Sequence, residues 1–319
     1  MIDLLAVVIT YNNASGIGRS IECLHRAMQQ ARVDGRIVVV DNASSDDTVL
    51  RLKALRTELP LELLEPGENL GFGRAINGVW RRHEARYVLL ANPDAFVAPN
   101  AIRLALAHLD AHRDVGVVGA RLISPEGMLQ PSCRFEPTPL SLFRQRTGLQ
   151  LGASKPAIDD LAWDHATVRD CDWVPGCFFL LRTEAVRGEV LFDERFFMYY
   201  EEVDLCRRLR EEGWRIQYLP DVLSVHIGGE SAKSIGRISK AGRQLQHLVD
   251  ESEQLYFRKW FGVPGMLLNL LLTSIVVVKE TIGGWIRGRR PEQGEHPLRA
   301  LGSYLGTLQR TRFGTTPTR

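Results

Sequence analysis

The sequence predicts an α/β protein, an open and mostly parallel sheet with helices on both faces, followed by a C-terminal helical segment. Two observations predict it. Short apolar runs alternate with helix-period patterns up to about residue 112, and those runs are apolar throughout, as strands are when a parallel sheet is covered on both sides. At 319 residues, 45% of them apolar, the chain has enough core for one large domain or two intimate halves.

The elements follow in order. LLAVVI at 4–9 is the first strand, and the helix near 15–31 carries Ile17, Ile21, Leu24 and Met28 on one stripe that lies against the sheet. IVVV at 37–40 is a strand, followed by a helix near 46–58; LELL at 61–64 is a strand, followed by a helix near 73–84. YVLL at 87–90 closes the series, and the helix near 100–112 presents Ile102, Leu106 and Leu109. From about residue 125 the rhythm breaks, and the Pro- and Arg-containing stretch 131–156 reads as loop-rich. Regular signals return with CFFLLR at 177–182, a helix over roughly 201–212 and IQYL at 216–219, then helices from about 240. The expected division is 1–125, 126–235 and a helical extension 236–319.

Composition excludes some classes. A net charge of +2 is too small for a general nucleic-acid binder. Cys23, Cys133, Cys171, Cys177 and Cys206 form no C-x-x-C pair and leave an odd one over, which argues against a disulfide framework or zinc ribbon and for a reducing compartment. The first apolar run ends at Ile9 without a basic leader, too short for a secretion signal, so most of the chain is expected in the cytosol. Val263 to Val278 is largely apolar, broken by Asn269, Thr273 and Ser274 and followed by Arg287, Arg289 and Arg290. It falls short of the about 20 apolar residues of a bilayer span. It reads as a helix buried in the protein's own core or a homodimer, or as one lying in the inner leaflet with the arginines near acidic lipid, with a true span as the third alternative.

Ligands of open α/β sheets bind beyond the carboxyl ends of the strands. Those ends carry Thr10-Tyr11-Asn12-Asn13, Asp41-Asn42-Ala43-Ser44-Ser45-Asp46, Glu68-Asn69-Leu70-Gly71-Phe72-Gly73 and Asn92-Pro93-Asp94. Turn-making and helix capping account for any one of them, but less readily for all four together. GIGRSI at 16–21 and GFGRAI at 71–76 both lack the third glycine of a dinucleotide fingerprint and neither directly follows the first strand, which removes hydride transfer. There is no G-x-x-x-x-G-K-[ST], which removes the phosphate-loop ATPases. Pro93 is expected to hold Asn92 extended and present Asp94 at the sheet edge. A carboxylate there can hold a hard divalent cation, the partner a departing nucleoside diphosphate needs.

VVDNASSDDT at 39–48, ENLGFGRAIN at 68–77 and NPD at 92–94, in that order, resemble the family 2 glycosyltransferases of GT-A fold, and within them the rhamnosyltransferase-like branch. WVPGCFFLLR at 173–182, Phe192-Asp193-Glu194 to Phe197, Tyr200 to Cys206 and Val225-His226-Ile227-Gly228-Gly229 match that family's later motifs, so the similarity covers roughly 3–230. The resemblance implies a Rossmann-like GT-A sheet and metal-dependent inverting transfer. It implies that Asp94, with Asn92 nearby, is the metal ligand in place of the usual Asp-x-Asp, and that His226 completes the site. An imidazole there leans the choice between Mn2+ and Mg2+ toward manganese. By the same resemblance Asp41 contacts the donor's base, Thr10, Tyr11 and Asn12 line its pocket, and Asn69, Gly71 and Asn77 shape the floor under sugar and diphosphate. Trp173 and Gly176 meet the acceptor.

Inversion needs one base opposite the leaving group. The family has Glu-Asp where this chain has Glu201-Glu202; neighbouring helical side chains point about 100° apart, so one of the two faces the acceptor, and motif position favours Glu202. Asp204 is expected to pair with Arg207 or Arg208. The resemblance implies dTDP-L-rhamnose as donor and a polyprenyl-diphosphate-linked sugar or growing surface polysaccharide as acceptor. The enzyme then works as a peripheral protein at the inner face of the cell membrane. A UDP- or GDP-sugar is the alternative donor. Two other classes stay open: a nucleotidyltransferase, which wants a basic phosphate loop where TYNN stands, and a silent scaffold, since Glu-Glu replaces Glu-Asp.

Overall fold

In the computed structural model, which describes residues 1–149, 158–160, 162–228, 238–286 and 297–319, the first strand is β1 (Ile2–Thr10). It pairs in parallel with β2 (Gly35–Asp41) and β4 (Ala85–Ala91), and β2 pairs in parallel with β3 (Leu61–Leu64). Along β1 the side chains divide by pleat. Leu4, Ala6 and Val8 join the core made with helices α1 (Ile17–Ala31), α2 (Thr48–Leu55) and α4 (Ala101–Ala111), through Ile17, Ile21, Leu24, Leu52, Ile102 and Leu109. Leu5, Val7 and Ile9 join the opposite core with α3 (Phe72–Trp80) and α6 (Glu201–Glu211). Helices on both faces are why the strand has no polar side.

Beyond β4 the sheet continues in mixed sense. β9 (Phe178–Arg182) runs antiparallel between β4 and β6 (Val115–Ile123), β10 (Arg215–His226) is parallel to β6, and β5 (Ala95–Val97) is antiparallel on β10. Two short strands, β7 (Leu129–Gln130) and β8 (Arg169–Cys171), attach to β6 and β10. Strands on either side of residue 125 therefore share one sheet. β6 escapes the sequence reading because Gly116 and Gly119 interrupt its apolar pattern. Gly119 is a packing glycine: a Cβ there stands 2.6 Å from the Val174 side chain.

The chain forms two compact units. Met1–Arg134, Asp160–Glu194 and Glu201–Ile235 make the first, which holds the sheet and α1 to α4 and α6. Phe135–Asp159, Arg195–Tyr200 and Gly236–Arg319 make the second. The stretch expected to be loop-rich contains α5 (Pro139–Thr147), started by a reciprocal capping box between Thr138 and Ser141 with Pro139 at the first helical position. Residues 150–156 of that stretch, Gly229, and Arg287, Arg289 and Arg290 lie outside the described residues.

The second unit also holds a long helix, Ile238–Ile286, kinked where Gly262 takes φ 64° and ψ −163° ahead of Pro264, and a terminal helix, Pro297–Arg310. Glu253, 1% exposed, ties them together. It accepts from Arg146 of α5 at 3.0 Å and from Asn269 beyond the kink at 2.8 Å, while Asn269 also donates to Tyr304 of the terminal helix. One stretch among the described residues, Gln246–Gly283, is long and apolar enough by composition to cross a membrane.

Candidate active site

The loops after β1 and β2 are laced together. Asn12, at φ 53°, donates its N–H to Ser44 Oγ at 2.8 Å and accepts from Ser45 N–H at 2.8 Å; Asn13 N–H reaches Thr48 Oγ1, and Ala14 N–H reaches Asp46. Thr10 and Asp41 are register partners at the ends of β1 and β2. Asp41 is buried and both of its oxygens accept from Ser44, one from the N–H and one from the hydroxyl, so Ser44 stands between this carboxylate and anything beyond the strand end. Thr10 Oγ1 is buried without a hydrogen-bond partner among the described residues, while Tyr11 and Asn12 are partly exposed.

Asn69 accepts the Gly71 N–H at 3.0 Å, and Asn42 donates to the Gly71 carbonyl at 2.9 Å. Gly71 needs its φ of 78° to turn the chain into α3. Asn77 departs from the expectation that it shapes a sugar floor. It is fully buried and its carboxamide exchanges two hydrogen bonds with the Phe192 backbone, at 2.8 and 2.9 Å, so it clasps the 192–194 segment from inside.

At the end of β4 the expected extended exit is a turn, closed by Ala95 N–H on the Asn92 carbonyl at 3.1 Å. Pro93 pre-sets the backbone angle that a second turn position requires. The turn leads into β5, whose antiparallel register places Ala95 opposite His226. Asp94 and His226 thereby meet, with Oδ1 3.5 Å from Nε2. Asp94 Oδ2 accepts the Gly228 N–H at 3.1 Å. Gln130 fixes the imidazole: its Nε2 donates to the His226 carbonyl at 2.8 Å, so its Oε1, 2.9 Å from Nδ1, accepts the Nδ1 proton and leaves Nε2 facing the site. Cys177 Sγ lies 3.4 Å from Nε2, and Asn92 Nδ2 lies 3.3 Å from both. Burial works to raise the Asp94 carboxyl, but His226 and the Gly228 N–H outweigh it and hold it below the ordinary range. Burial works to lower His226, yet Asp94 and Cys177 push it up to about 10.

Glu202 comes from the first turn of α6. Its Oε1 accepts the Gly176 N–H at 3.0 Å, and a Cβ on residue 176 would sit 2.8 Å from that same oxygen, so only glycine lets the carboxylate lie on the backbone. Burial pushes the Glu202 carboxyl above its ordinary range, against the Gly176 N–H and the Arg134 charge. Glu201 is buried as well, and Asp204 pairs with Arg208 at 3.2 Å. Trp173 is partly exposed beneath the Arg134 guanidinium, 4.8 Å from its ring centre.

Gly176 and Cys177 are consecutive, so one peptide joins Glu202 to the Asn92–Asp94–His226 group. Sequence reasoning gave no role to Gln130, Arg134, Ser44 or Cys177. Gln130 and Arg134 reach the site only through non-local strand pairing, which leaves no local signal, whereas Ser44 and Cys177 lie inside motifs already singled out. A carboxylate oxygen beside an oriented imidazole fits a divalent cation. Among the described residues no group of three or more His, Cys, Asp or Glu side chains is set to hold one, so the donor set is partial.

Residues 5–147 match the family model described as glycosyl transferase family 2. The chain is 30% identical over 257 residues to the N-acetylglucosaminyl-diphospho-decaprenol L-rhamnosyltransferase of Mycobacterium tuberculosis, covering 74% of this chain and 79% of that protein. In fold it is similar to the mannosyltransferase PcManGT of Pyrobaculum calidifontis, solved with GDP-Man and Mn2+ (TM-score 0.54, 16% identity, 98% of this chain and 75% of that one). It is similar also to Staphylococcus aureus TarS 1–349 (TM-score 0.52, 15% identity, 98% and 92%).

Proposed function

The chain belongs to the family 2 glycosyltransferases, and on that premise we propose that it moves L-rhamnose from dTDP-L-rhamnose to a lipid-linked sugar with inversion at the anomeric carbon. The observation that carries the reading is the consecutive pair Gly176-Cys177: a carboxylate whose pKa burial raises lies on the Gly176 N–H, and the histidine of the Asp–His pair lies against the Cys177 thiol. Inverting transfer asks for that pairing: a base for the incoming hydroxyl and, across the reacting carbon, a place where the leaving diphosphate's charge is met.

In this mechanism Glu202 takes the acceptor hydroxyl's proton, and the Gly176 N–H keeps its carboxylate aimed. Asp94 and His226, with Asn92 beside them, would hold a divalent cation, manganese by preference. When bound, the cation neutralises charge on the departing nucleoside diphosphate. Thr10, Tyr11 and Asn12 line the base pocket, and the unpaired Thr10 hydroxyl is a donor and acceptor ready for it. Asp41 acts there through Ser44, Asn69 and Gly71 lie under the diphosphate, and Asn77 supports the site at one remove. Trp173 and Gly176 receive the acceptor sugar. Residues 1–125 thus serve the donor and 126–235 the base and acceptor. An acceptor carried on a polyprenyl diphosphate places the enzyme at the inner face of the cell membrane.

Rhamnose rests on the activity of the mycobacterial relative. Similarly folded proteins solved with GDP-Man or with UDP favour a second reading, the same chemistry on a GDP- or UDP-sugar. Thermal stabilisation by dTDP, UDP, GDP and CDP, each with Mn2+, Mg2+ or chelator, separates them. The expected result is a metal-dependent rise largest for dTDP and absent in Asp94→Ala. A larger rise with UDP or GDP replaces the sugar, and no rise with any nucleotide sinks the donor site.

A further inference from the structure

Beyond its kink, the long helix of the second unit carries apolar residues on both sides. Its inward positions combine the buried Met266, Val276 and Val277 with two polar anchors: Asn269, 1% exposed, donates to Glu253, and Thr273 accepts from Arg146 at 2.9 Å. Its outward positions are apolar. Val263, Leu267, Leu271, Ile275, Val278 and Ile282 recur every three or four residues, and none is less than 42% exposed. That spacing keeps all six on one side of the helix, and no charged residue occurs from 263 to 278. A continuous apolar stripe of this size is a binding surface.

The flanks identify what it binds. Arg258, Lys259 and Trp260 precede the stripe, with the Lys259 ammonium 5.2 Å over the Trp260 ring. Between 279 and 290 the sequence carries Lys279, Trp285, Arg287, Arg289 and Arg290 against one acid, Glu280. Tryptophan and basic residues at both ends of an apolar segment match the headgroup level of an anionic membrane. Two copies packed stripe to stripe would instead bring basic ends against basic ends, whichever way the helices ran. Crossing the bilayer is disfavoured by the inward face, because the Arg146–Glu253 pair bonds at Thr273 and Asn269, in the middle of the apolar run, and would be carried to the hydrocarbon centre.

We propose that this stripe lies in the plane of an anionic leaflet, its six apolar side chains in the acyl boundary and Arg258, Lys259 and Lys279 among the headgroups. Its geometry is independent of the sugar chemistry; only its purpose, meeting a lipid-linked acceptor, rests on the transferase reading. The test sediments the full chain with vesicles of phosphatidylglycerol and phosphatidylethanolamine, or of phosphatidylcholine alone. Wild type is expected to partition at least tenfold better to the anionic vesicles and to leave cell membranes in alkaline carbonate. Leu271→Glu with Ile275→Glu should lower vesicle uptake at least tenfold with an unchanged melting curve by circular dichroism. Undiminished uptake by that variant overturns the proposal, as does carbonate resistance, which means a span. A wild-type dimer that ignores vesicles and is split by the substitutions overturns it in favour of a second copy. Sugar transfer to a water-soluble acceptor, measured in parallel, shows whether a failure lies with the stripe or with the transferase reading.

Discussion

Glu202 is held between opposing influences: burial raises its carboxyl, while the Gly176 N–H and the Arg134 charge pull it back without cancelling the rise. Two outcomes follow at this scale. If Glu202 is the base, kcat/KM falls on the acid side as pH drops through this raised value, so the acid limb lies above that of an ordinary glutamate. The stability consequence has the opposite sense. Folding favours the protonated carboxyl, so its contribution is fully present below the unfolded value and is lost as pH rises through the folded one. Glu202→Gln should therefore slow transfer by about 10²–10⁴-fold while melting no lower than the parent at pH 8, because glutamine still accepts from Gly176 and carries no charge. A clear drop in melting temperature would show that the carboxylate is stabilising and that its raised value is misread. Glu201→Gln is the companion: if it, and not Glu202→Gln, abolishes transfer, the base is the other glutamate.

Among the elements, β6 repays attention because its glycines hide it. Gly119→Ala drives a Cβ into Val174 at 2.6 Å, and overpacking of this kind costs roughly 1–3 kcal/mol. Chemical denaturation should show that loss, and an unchanged midpoint would mean that Val174 moves freely. Elements with one dominant pattern were readable from sequence: β1 to β4 because both faces are apolar, α1 and α4 because their stripes match the helical period. Where two patterns compete the reading stops. β10 looks like IQYL alone because Pro220 and Asp221 interrupt it, yet it resumes after a register shift between Leu219 and Leu223 and runs on to His226. α5 lay unread behind Thr138-Pro139-Leu140-Ser141, although a capping residue followed by proline is a helix-start signal. In the candidate site, Asp94 stands out in the sequence because nothing in strand-building asks for Asn-Pro-Asp. Asn77 was misread because a buried carboxamide clasping a distant backbone looks the same in sequence as one facing a ligand.

For the whole molecule, each unit has its own organising centre, the sheet in one and Glu253 in the other. Removing the carboxylate leaves Arg146 without its buried counter-charge, a loss of about 3–5 kcal/mol in comparable pairs. Glu253→Ala should lower a calorimetric transition assigned to the second unit while nucleotide stabilisation of the first persists, whereas loss of both would show that the units melt as one. A last consequence concerns the time taken to make the chain. Asn92 and His226, which touch across the site, are 134 positions apart, an interval of about 7–27 s at 5–20 residues per second. For much of it β4 has β1 on one side and nothing on the other, since β9 is made only after residue 177. A nascent chain with a bare, apolar strand edge pairs readily with stray strands. Yield of this enzyme is therefore expected to depend on chaperones acting during those seconds, before any of its chemistry exists.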